Sequence, residues 1–519
     1  MKKIVYFLAA FFAAQHVTAQ IPEDAIRISW TVPSGTARQQ AIGGAMGSLG
    51  GEITSTFVNP AGLGFYKTGE FVVSPGLSFF NGSGDFRGTS SDANSYTKFN
   101  IGTTGLVWGQ TNPRSRWANK TFSFAINRTA NFNGRSHYEG LNTYSSYSES
   151  FAEEFAQSGL PIDVRLYDAP LSLGTKLANY TYLIDTVTVG GGIEVVGLPL
   201  RDAILNNTDA SLYQSKDIRT RGGITELAFG FASNLEDRIY IGGSIGLPIV
   251  NFKKTTVFTE RDLDNNINNF NYSVYQEDYK ANGVGLNAKL GIIVKASEQF
   301  RAGFALHTPT IYGLSEQTTG RMENDLEDYF STEKIRVGTT NDIYTANGYD
   351  IPSYRYDLIS PWKFMLSGSY MINAVADVTK QKGFITADVE YVTHRSSRFN
   401  SGTSEDQSYY SGVNDAIKLS YKNAVNVRVG GELKFNTFMT RLGFAYYGSP
   451  YEEKEFKAKK MNLSGGVGYR HSGIFLDLTY VYGINRDVDF PYRLSDKANT
   501  YAELKNNNAN VILTFGVKF

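Results

Sequence analysis

Three basic side chains stand on the polar faces of segments in which apolar and polar residues alternate. They are Lys289, Arg428 and Arg441, and an ammonium or guanidinium group can bind a carboxylate through charge-assisted hydrogen bonds. Two interpretations are open at this stage. The three could contact the carboxylate of a ligand, or they could pair with acidic residues in a structural network that keeps buried charge neutral. The acidic residues available for such pairing are Glu226, Asp388, Glu390, Glu432 and Asp477.

Histidine, the commonest general base and metal ligand, is scarce. The four histidines that follow residue 20 are scattered along the chain at His137, His307, His394 and His471. No two of them have metal-ligand spacing, and no Gly-x-Ser-x-Gly motif stands between a strand and a helix. We therefore expect no enzymatic activity, no cofactor and no metal, and we expect these histidines at the surface or at an interface.

Composition excludes several further classes of protein. The 50 Lys+Arg residues balance 50 Asp+Glu, so the sequence offers no basic surface for nucleic acid. The absence of Cys excludes a disulfide framework, a thiolate metal site and a lipid anchor on an N-terminal Cys. Glycine (52 residues) and aromatic residues (14%) are abundant and proline (14 residues) is scarce, a bias that favours strands and turns over helices.

The first nineteen residues have the pattern of a secretory signal peptide. Lys2 and Lys3 precede an apolar stretch from Ile4 to Ala14, and Val17-Thr18-Ala19 is a small-residue cleavage site before Gln20. This stretch is too short to span a bilayer, which takes about 20 residues, and no later uncharged apolar run is that long. The mature chain is therefore expected in the periplasm, the outer membrane or the medium, without a transmembrane helix.

Strict period-two alternation marks several segments as strands with one apolar face. The clearest is Val425–Phe435, and Val284–Lys295 and Ile474–Gly483 repeat the pattern. A soluble β-sandwich would also alternate. The final segment Asn510–Phe519, however, places Phe515 and Phe519 on its apolar face and ends on an aromatic residue. Such an end resembles the signal that bacterial outer-membrane barrels present to their assembly machinery.

Counting alternating segments gives an even number, as a single-chain bacterial barrel requires. The fourteen predicted strands span 69–80, 98–110, 119–131, 221–233, 238–251, 284–296, 299–308, 362–374, 382–393, 423–435, 438–448, 461–471, 473–483 and 508–519. Short connections then alternate with long ones, the longest being 132–220, 252–283 and 309–361. Thr186–Val196 would make a fifteenth strand, so we assign it to the first long loop. Because Lys or Arg on the lipid face costs roughly 2–4 kcal/mol near the midplane, the three basic side chains should point into the lumen.

The long loop 132–220 contains two short stretches with helical spacing of apolar residues, Ser150–Gln157 and Leu171–Ala178. They indicate either a packed cap on the barrel mouth or an apolar capture surface.

Residues 20–68 do not alternate and are rich in small residues. The run Ala37–Gly51 contains Gly43, Gly44, Gly47, Gly50 and Gly51. It lacks the Gly-Lys-Ser/Thr of a phosphate-binding loop, and no strand precedes it. Small residues let a backbone pack closely against a crowded wall, so we predict that this segment folds back and plugs the lumen.

The small-residue run followed by Asn59-Pro60-Ala61-Gly62-Leu63 resembles the N-terminal hatch of the FadL family of outer-membrane transporters. Leu442–Pro450 and Asn462–Arg470 are similar to late-strand patterns of that family, whose fold also has fourteen strands. The resemblance therefore covers both ends of the chain and leaves the middle loops unmatched. It implies an all-β, 14-stranded antiparallel transmembrane barrel with a hatch in the lumen.

The resemblance also implies a function, the energy-independent uptake of long-chain fatty acids or aromatic hydrocarbons. A ligand would land on the outer loops, bind in the lumen, displace the hatch and leave sideways into the outer-membrane lipid through an inward kink of the third strand. We place that kink at Asn127, Arg128, Thr129 and Ala130, where an arginine breaks the apolar face. A monomer is expected. The alternatives are a general porin and a barrel of the same fold that serves as an adhesin or receptor.

Overall fold

The computed structural model describes residues 22–112, 114–189, 191–206, 211–263, 267–330, 332–373, 382–401 and 407–519. The predicted signal peptide, residues 1–19, lies outside these residues, as does the turn predicted at 375–381.

Strands account for most of the described chain. In chain order they are β1 (Glu70–Val73), β2 (Pro75–Phe86), β3 (Thr89–Asp92), β4 (Tyr96–Ile101), β5 (Thr104–Thr111), β6 (Trp117–Asn131), β7 (Gly134–Asn142), β8 (Ile184–Val189), β9 (Gly192–Gly197), β10 (Leu212–Leu235), β11 (Ile239–Asp262), β12 (Tyr272–Lys295), β13 (Phe300–His307), β14 (Ile311–Asp325), β15 (Ile335–Thr339), β16 (Tyr354–Ile359), β17 (Lys363–Ile372), β18 (Gly383–Val392), β19 (Arg398–Asn400), β20 (Ala424–Phe435), β21 (Phe438–Tyr447), β22 (Lys459–His471), β23 (Ile474–Asp489) and β24 (Ala502–Lys518).

All of these strands except β8 and β9 belong to one antiparallel sheet that closes on itself. Several barrel strands are interrupted and consist of two elements. In order around the barrel, the fourteen strands are β1 with β2, β4 with β5, β6 with β7, β10, β11, β12, β13 with β14, β16 with β17, β18 with β19, β20, β21, β22, β23 and β24. The closing seam pairs Phe71 with Val517 and Leu77 with Val511. The predicted fourteen-stranded antiparallel barrel is confirmed.

Several strands continue well past their predicted ends on the long-loop side. The strands β10, β11 and β12 have 24 residues each, so the long loops are shorter than predicted. The reason is visible on β11, where the outward positions are apolar up to Ile249 and then change to Asn251 and Lys253. Beyond the apolar belt both faces meet polar surroundings, and the alternation that marks a strand in the sequence disappears.

Side-chain burial follows the predicted alternation. Outward residues such as Leu442 and Leu366 are 75% and 64% exposed, whereas Lys289, Arg428 and Arg441 are all buried and face inward.

The helices lie in the N-terminal segment and in the long connections. They are α1 (Pro22–Ser29), α2 (Ala37–Ala41), α3 (Ser55–Val58), α4 (Tyr147–Ser158), α5 (Leu173–Tyr180), α6 (Leu198–Asn206), α7 (Thr340–Ile343) and α8 (Gln407–Ser420). Short 3-10 helices span Pro60–Phe65, Thr345–Asn347 and His394–Ser396. None of the helices in the described ranges combines the length and the apolar character needed to cross a bilayer.

The helices α4 and α5 confirm the two helical stretches predicted in the first long loop. Ser146 caps α4 in a capping box with Glu149. The two helices bury Phe155 and Leu177 against Met322 of β14 and form an apolar cap. The segment Thr186–Val196 is not a barrel strand, as predicted, but it does form strands. It lies in the β8–β9 hairpin, which packs within the same cap.

Candidate functional site

Residues 22–68, here called the N-terminal segment, lie inside the barrel. Their backbone forms hydrogen bonds with inward side chains on widely separated strands. The Ala37 N–H donates to Thr514 Oγ1 of β24 at 2.7 Å, and the Met46 N–H donates to Asp388 Oδ2 of β18 at 3.0 Å. Ser244 of β11 donates from its hydroxyl to the Thr56 carbonyl at 2.8 Å. The segment is therefore anchored to several sides of the lumen wall.

Glycines in the wall let the N-terminal segment approach the strands backbone to backbone. A Cβ built on Gly443 would lie 2.0 Å from the Gly43 nitrogen, and one on Gly303 would lie 2.3 Å from the Gly47 carbonyl oxygen. Both distances are far below ordinary van der Waals contact. A Cβ on Gly242, Gly303, Gly430 or Gly443 would lie within 3.0 Å of the segment's backbone, and one on Gly291 would lie within 3.0 Å of the Asn59 side chain. The segment can therefore pack this closely against the wall because the wall residues at these positions have no side chain.

The predicted motif Asn59 to Leu63 holds the segment together. Asn59 caps the 3-10 helix that begins at Pro60, because its Oδ1 accepts from the Ala61 N–H at 3.1 Å. Its Nδ2 donates to the Gly47 carbonyl at 2.6 Å. The Gly51 N–H donates to the Gly62 carbonyl at 2.9 Å, and Leu63 is fully buried.

The five glycines predicted to help packing fall into two groups. Gly43, Gly44, Gly50 and Gly51 have φ between +66° and +81°, the left-handed region that other residues rarely adopt. Gly47 instead lies close to β17, where a Cβ would meet the Ser367 side chain at 2.6 Å.

The buried basic side chains of the wall are paired with acidic ones. Arg441 donates to Glu432 and to Asp477, each at 2.6 Å, and Arg38 of the N-terminal segment also contacts Glu432 at 3.2 Å. The second pair joins Arg428 to Glu390 at 2.8 Å, and the third joins Lys289 to Glu226. Of the two interpretations, the geometry matches the charge-neutralising network for all three.

A cavity of about 130 Å³ lies between the N-terminal segment and the wall. Lys289 and Arg428 line it, but Arg441 does not. The structure therefore does not bring the three predicted carboxylate contacts together. Many of the lining side chains are polar or charged, among them Asn127, Glu226, Lys289, Lys363, Glu390 and Arg428.

Two histidines expected at the surface or at an interface line this cavity instead. His394 is buried, and its Nδ1 lies 3.0 Å from Ser29 Oγ. His307 Nε2 lies 2.8 Å from the Val58 carbonyl oxygen. Both rings thus contact the N-terminal segment, whose packing the positions of the histidines in the sequence did not reveal. No group of residues suited to hold a metal ion occurs in the described part of the chain.

Lys363 also lines the cavity, although it was not among the predicted site residues. Its ammonium has no hydrogen-bond or ion-pair partner among the described residues, and it is half-buried at the start of β17. The carboxylate of Glu390 is already engaged by Arg428 at 2.8 Å and Asn426 at 2.7 Å. The sequence did contain a signal for this residue. Lys363 stands between the aromatic residues Trp362 and Phe364, and a strand residue between two outward side chains points inward.

The third barrel strand bends into the lumen. The ladder between β5 and β6 ends at Thr104 and Ile126. On its other side, β6 has a register shift against β10, because Arg128 pairs with Thr225 and Ala130 with Ile224. Thr129 is therefore the extra residue of a β-bulge, within the predicted range Asn127 to Ala130.

Beyond the bulge, β7 pairs with β10 but with no other strand in the described ranges. It crosses the inner face of the seam strands instead. Tyr138 donates from its hydroxyl to Asp489 Oδ2 of β23 at 2.7 Å, and Ser136 donates to Asn506 Oδ1 of β24 at 3.1 Å. This inward course separates β7 from β4, and the wall between them has no backbone ladder in the described structure.

The unpaired stretch of wall, here called the lateral gap, adjoins the cavity. Asn127 and Thr129, at its lower edge, line the cavity, and Asn127 Nδ2 donates to the Ser34 carbonyl of the N-terminal segment at 3.0 Å. Lys98 of β4 reaches across and donates to Asn133 Oδ1 at 3.1 Å. In the described part of the chain, side chains rather than a backbone ladder therefore connect the two sides of the lateral gap.

No model of a known protein family matches the sequence, and no curated protein matches it either. Solved structures do match. A FadL homologue from Pseudomonas aeruginosa is 12% identical over 95% of this chain and 100% of its own, with a TM-score of 0.53. The P. putida toluene transporter TodX is 12% identical over 94% and 99%, with a TM-score of 0.49. A TodX deltaS2 mutant, described as a monoaromatic hydrocarbon channel, is 11% identical over 93% and 98%, with a TM-score of 0.50. The chain therefore has the fold of the FadL homologue, as the sequence resemblance implied.

Proposed function

We propose that this protein is an outer-membrane channel for hydrophobic compounds, which pass from the outer cap into the lumen cavity and leave sideways through the lateral gap. The observation that carries the proposal is the continuity between cavity and gap. Asn127 and Thr129 line the cavity at the point where the ladder between β5 and β6 has already ended. A solute at this point can reach the lipid without breaking backbone hydrogen bonds between β4 and β7, because the described structure has no ladder there.

The N-terminal segment is the gate in this proposal. It occupies the lumen beneath the cavity lining, so an open aqueous pore through the barrel axis is disfavoured, and with it the general-porin alternative. A ligand that enters the cavity contacts Trp30, Ser34 and Gly43 of the segment and can displace them. Apolar parts of the ligand gain about 0.8 kcal/mol for each methylene removed from water.

The cavity favours an amphipathic acid over a plain aromatic hydrocarbon. Among the charged side chains that line the cavity, Lys289 pairs with Glu226 and Arg428 pairs with Glu390. The ammonium of Lys363 is then the one positive charge in excess in this lining, and no carboxylate of the described residues forms an ion pair with it. A ligand carboxylate would complete that site with a charge-assisted hydrogen bond. We therefore propose fatty acids as the substrate class and Lys363, rather than Arg441, as the anchoring group.

Other parts of the proposal concern assembly. Phe515 lies on β24 in the closing seam, and the Phe519 N–H donates to the Gly69 carbonyl at 3.0 Å. We propose that these two aromatic residues form the signal for the barrel-assembly machinery and that the protein is a monomer, without enzymatic activity, cofactor or metal.

The lateral route is tested by closing the gap with a cross-link. The protein has no Cys, so a K98C/N133C pair can be joined specifically by a short bis-maleimide. The matched control is N251C/N282C, whose two positions are directly paired on β11 and β12 away from the gap. Uptake of labelled oleate and of labelled toluene is measured in cells that lack their own uptake channel.

We expect cross-linking to abolish oleate uptake through K98C/N133C and to leave the control pair unchanged. Uptake that continues at the uncross-linked rate through the closed K98C/N133C barrel would refute the lateral route. Rapid passage of small hydrophilic solutes through the wild-type barrel would instead favour a porin.

A further inference from the structure

Three basic side chains form a row on the outer surface of the barrel. In the sheet register, Arg221 of β10 lies directly opposite Lys253 of β11, and Lys253 lies directly opposite Lys280 of β12. Residues in direct register share a face, and all three are exposed. Side chains so placed have Cβ atoms about 5 Å apart, and like charges in this arrangement destabilise a sheet.

The protein itself does little to neutralise this row. None of the three side chains has an ion pair or a side-chain hydrogen bond within the described part of the chain. The neighbour of Lys280 on β14 is the uncharged Gln317. The closest acidic residue on the same face is Asp278, two positions along β12, and it accepts hydrogen bonds from Thr255 at 2.5 Å and Gln276 at 2.7 Å. Farther along β10, Arg219 adds another exposed positive charge.

The height of the row relative to the apolar belt indicates what neutralises it. The continuous run of outward apolar residues ends at Ile249 on β11 and at Val284 on β12, which are 42% and 54% exposed. Each is four residues away from the basic position of its strand. At about 3.3 Å per residue and a tilt of about 40°, the basic row lies roughly 10 Å beyond the edge of the belt. That is the level of lipid headgroups, on the side of the long connections, which in outer-membrane barrels faces outward.

We infer that Arg221, Lys253 and Lys280 form a binding site for the phosphate groups of a phosphorylated glycolipid in the outer leaflet. The inference rests on the proposed placement in the outer membrane but not on the proposed transport activity. The row presents three cations in one line at phosphate height, and an anionic headgroup lying across it contacts all three. The adjoining apolar surface of Phe229, Ile249 and Val284 accommodates the acyl chains.

The test uses purified lipopolysaccharide as the probe and the intact protein in detergent micelles. Native mass spectrometry measures the number of bound glycolipid molecules and their apparent affinity. The triple variant R221Q/K253Q/K280Q is compared with K67Q/R114Q/K120Q, which removes the same charge from exposed positions near the short-turn end. Resistance of the unheated barrel to SDS confirms that each variant is folded.

Each basic side chain near an anionic lipid surface contributes about fivefold to affinity, so the row variant should bind about a hundredfold more weakly and the control variant as tightly as the wild type. Enzymatically dephosphorylated lipopolysaccharide should bind wild-type protein as weakly as the intact glycolipid binds the row variant. This arm needs no mutation and holds even if the row variant fails to fold.

Equal binding of intact and dephosphorylated glycolipid, or an equal loss in both triple variants, would overturn the inference. Tighter binding of phosphatidylglycerol than of lipopolysaccharide would also overturn it, because the site would then recognise any anionic lipid. Oleate uptake is measured in parallel, so that a failure of the transport proposal is recognised separately.

Discussion

Replacing Gly443 by alanine should release the N-terminal segment without unfolding the barrel. The added Cβ would lie 2.0 Å from the Gly43 nitrogen and 2.3 Å from the Ile42 carbonyl carbon. All three of its nearest atoms belong to the segment's backbone, which cannot rotate away as a side chain can. Reaching an ordinary 3.4 Å contact requires a retreat of about 1.4 Å (3.4 − 2.0).

Overpacking of this kind typically costs about 1–3 kcal/mol, which raises the population of the released segment roughly 5- to 150-fold. Hydrogen exchange of the backbone amides in residues 37–47 measures this release directly, because the Gly43 N–H donates to Ser464 Oγ at 3.2 Å in the docked state. Ion conductance in a planar bilayer should rise in parallel. The control is G368A, where an added Cβ meets nothing within 4 Å. Exchange rates that are the same in G443A, G368A and the wild type would refute the docking argument.

Three further perturbations test the buried charges. R441Q removes the ion-pair partner of buried Asp477, while Glu432 keeps its contact with Arg38. The change should lower the free energy of unfolding by about 3–5 kcal/mol, as measured by urea unfolding in micelles. A loss no larger than that of R116Q, which breaks an exposed pair, would contradict this. Burial raises the pKa of Glu52 to about 7, above its ordinary value, so docking of the N-terminal segment should weaken as the pH rises from about 5 to above 7, by up to roughly 3 kcal/mol. Hydrogen exchange of the N-terminal segment should become faster across that pH range in wild-type protein but not in E52Q. The same pH dependence in E52Q would show that Glu52 is not the responsible group. K363Q should lower the affinity for oleate roughly tenfold or more and leave that for oleyl alcohol unchanged in calorimetry; an equal loss for both would show that Lys363 does not bind the carboxylate.

The barrel could be predicted from local residue patterns alone. Alternation is a local property of a strand with lipid on one side and a polar lumen on the other, so it can be detected wherever the apolar belt is crossed. The number of strands, the inward direction of Lys289, Arg428 and Arg441, and the helices α4 and α5 all follow from such local patterns. The extensions of β10, β11 and β12 could not be predicted in the same way, since beyond the belt neither face is required to be apolar.

The filling of the lumen could not be predicted in this way, because it depends on contacts between distant parts of the chain. His394 meets Ser29 across 365 positions of sequence, and Gly443 adjoins Gly43 only because β21 happens to face that turn of the N-terminal segment. The motif at Asn59 indicated that the segment is special, but not which wall atoms it would contact. The inward course of β7, the lateral gap and the excess positive charge of Lys363 in the cavity lining likewise arise from strands that meet only when the barrel closes. Such contacts depend on register and on the shape of the closed wall, and no local pattern of residues encodes either.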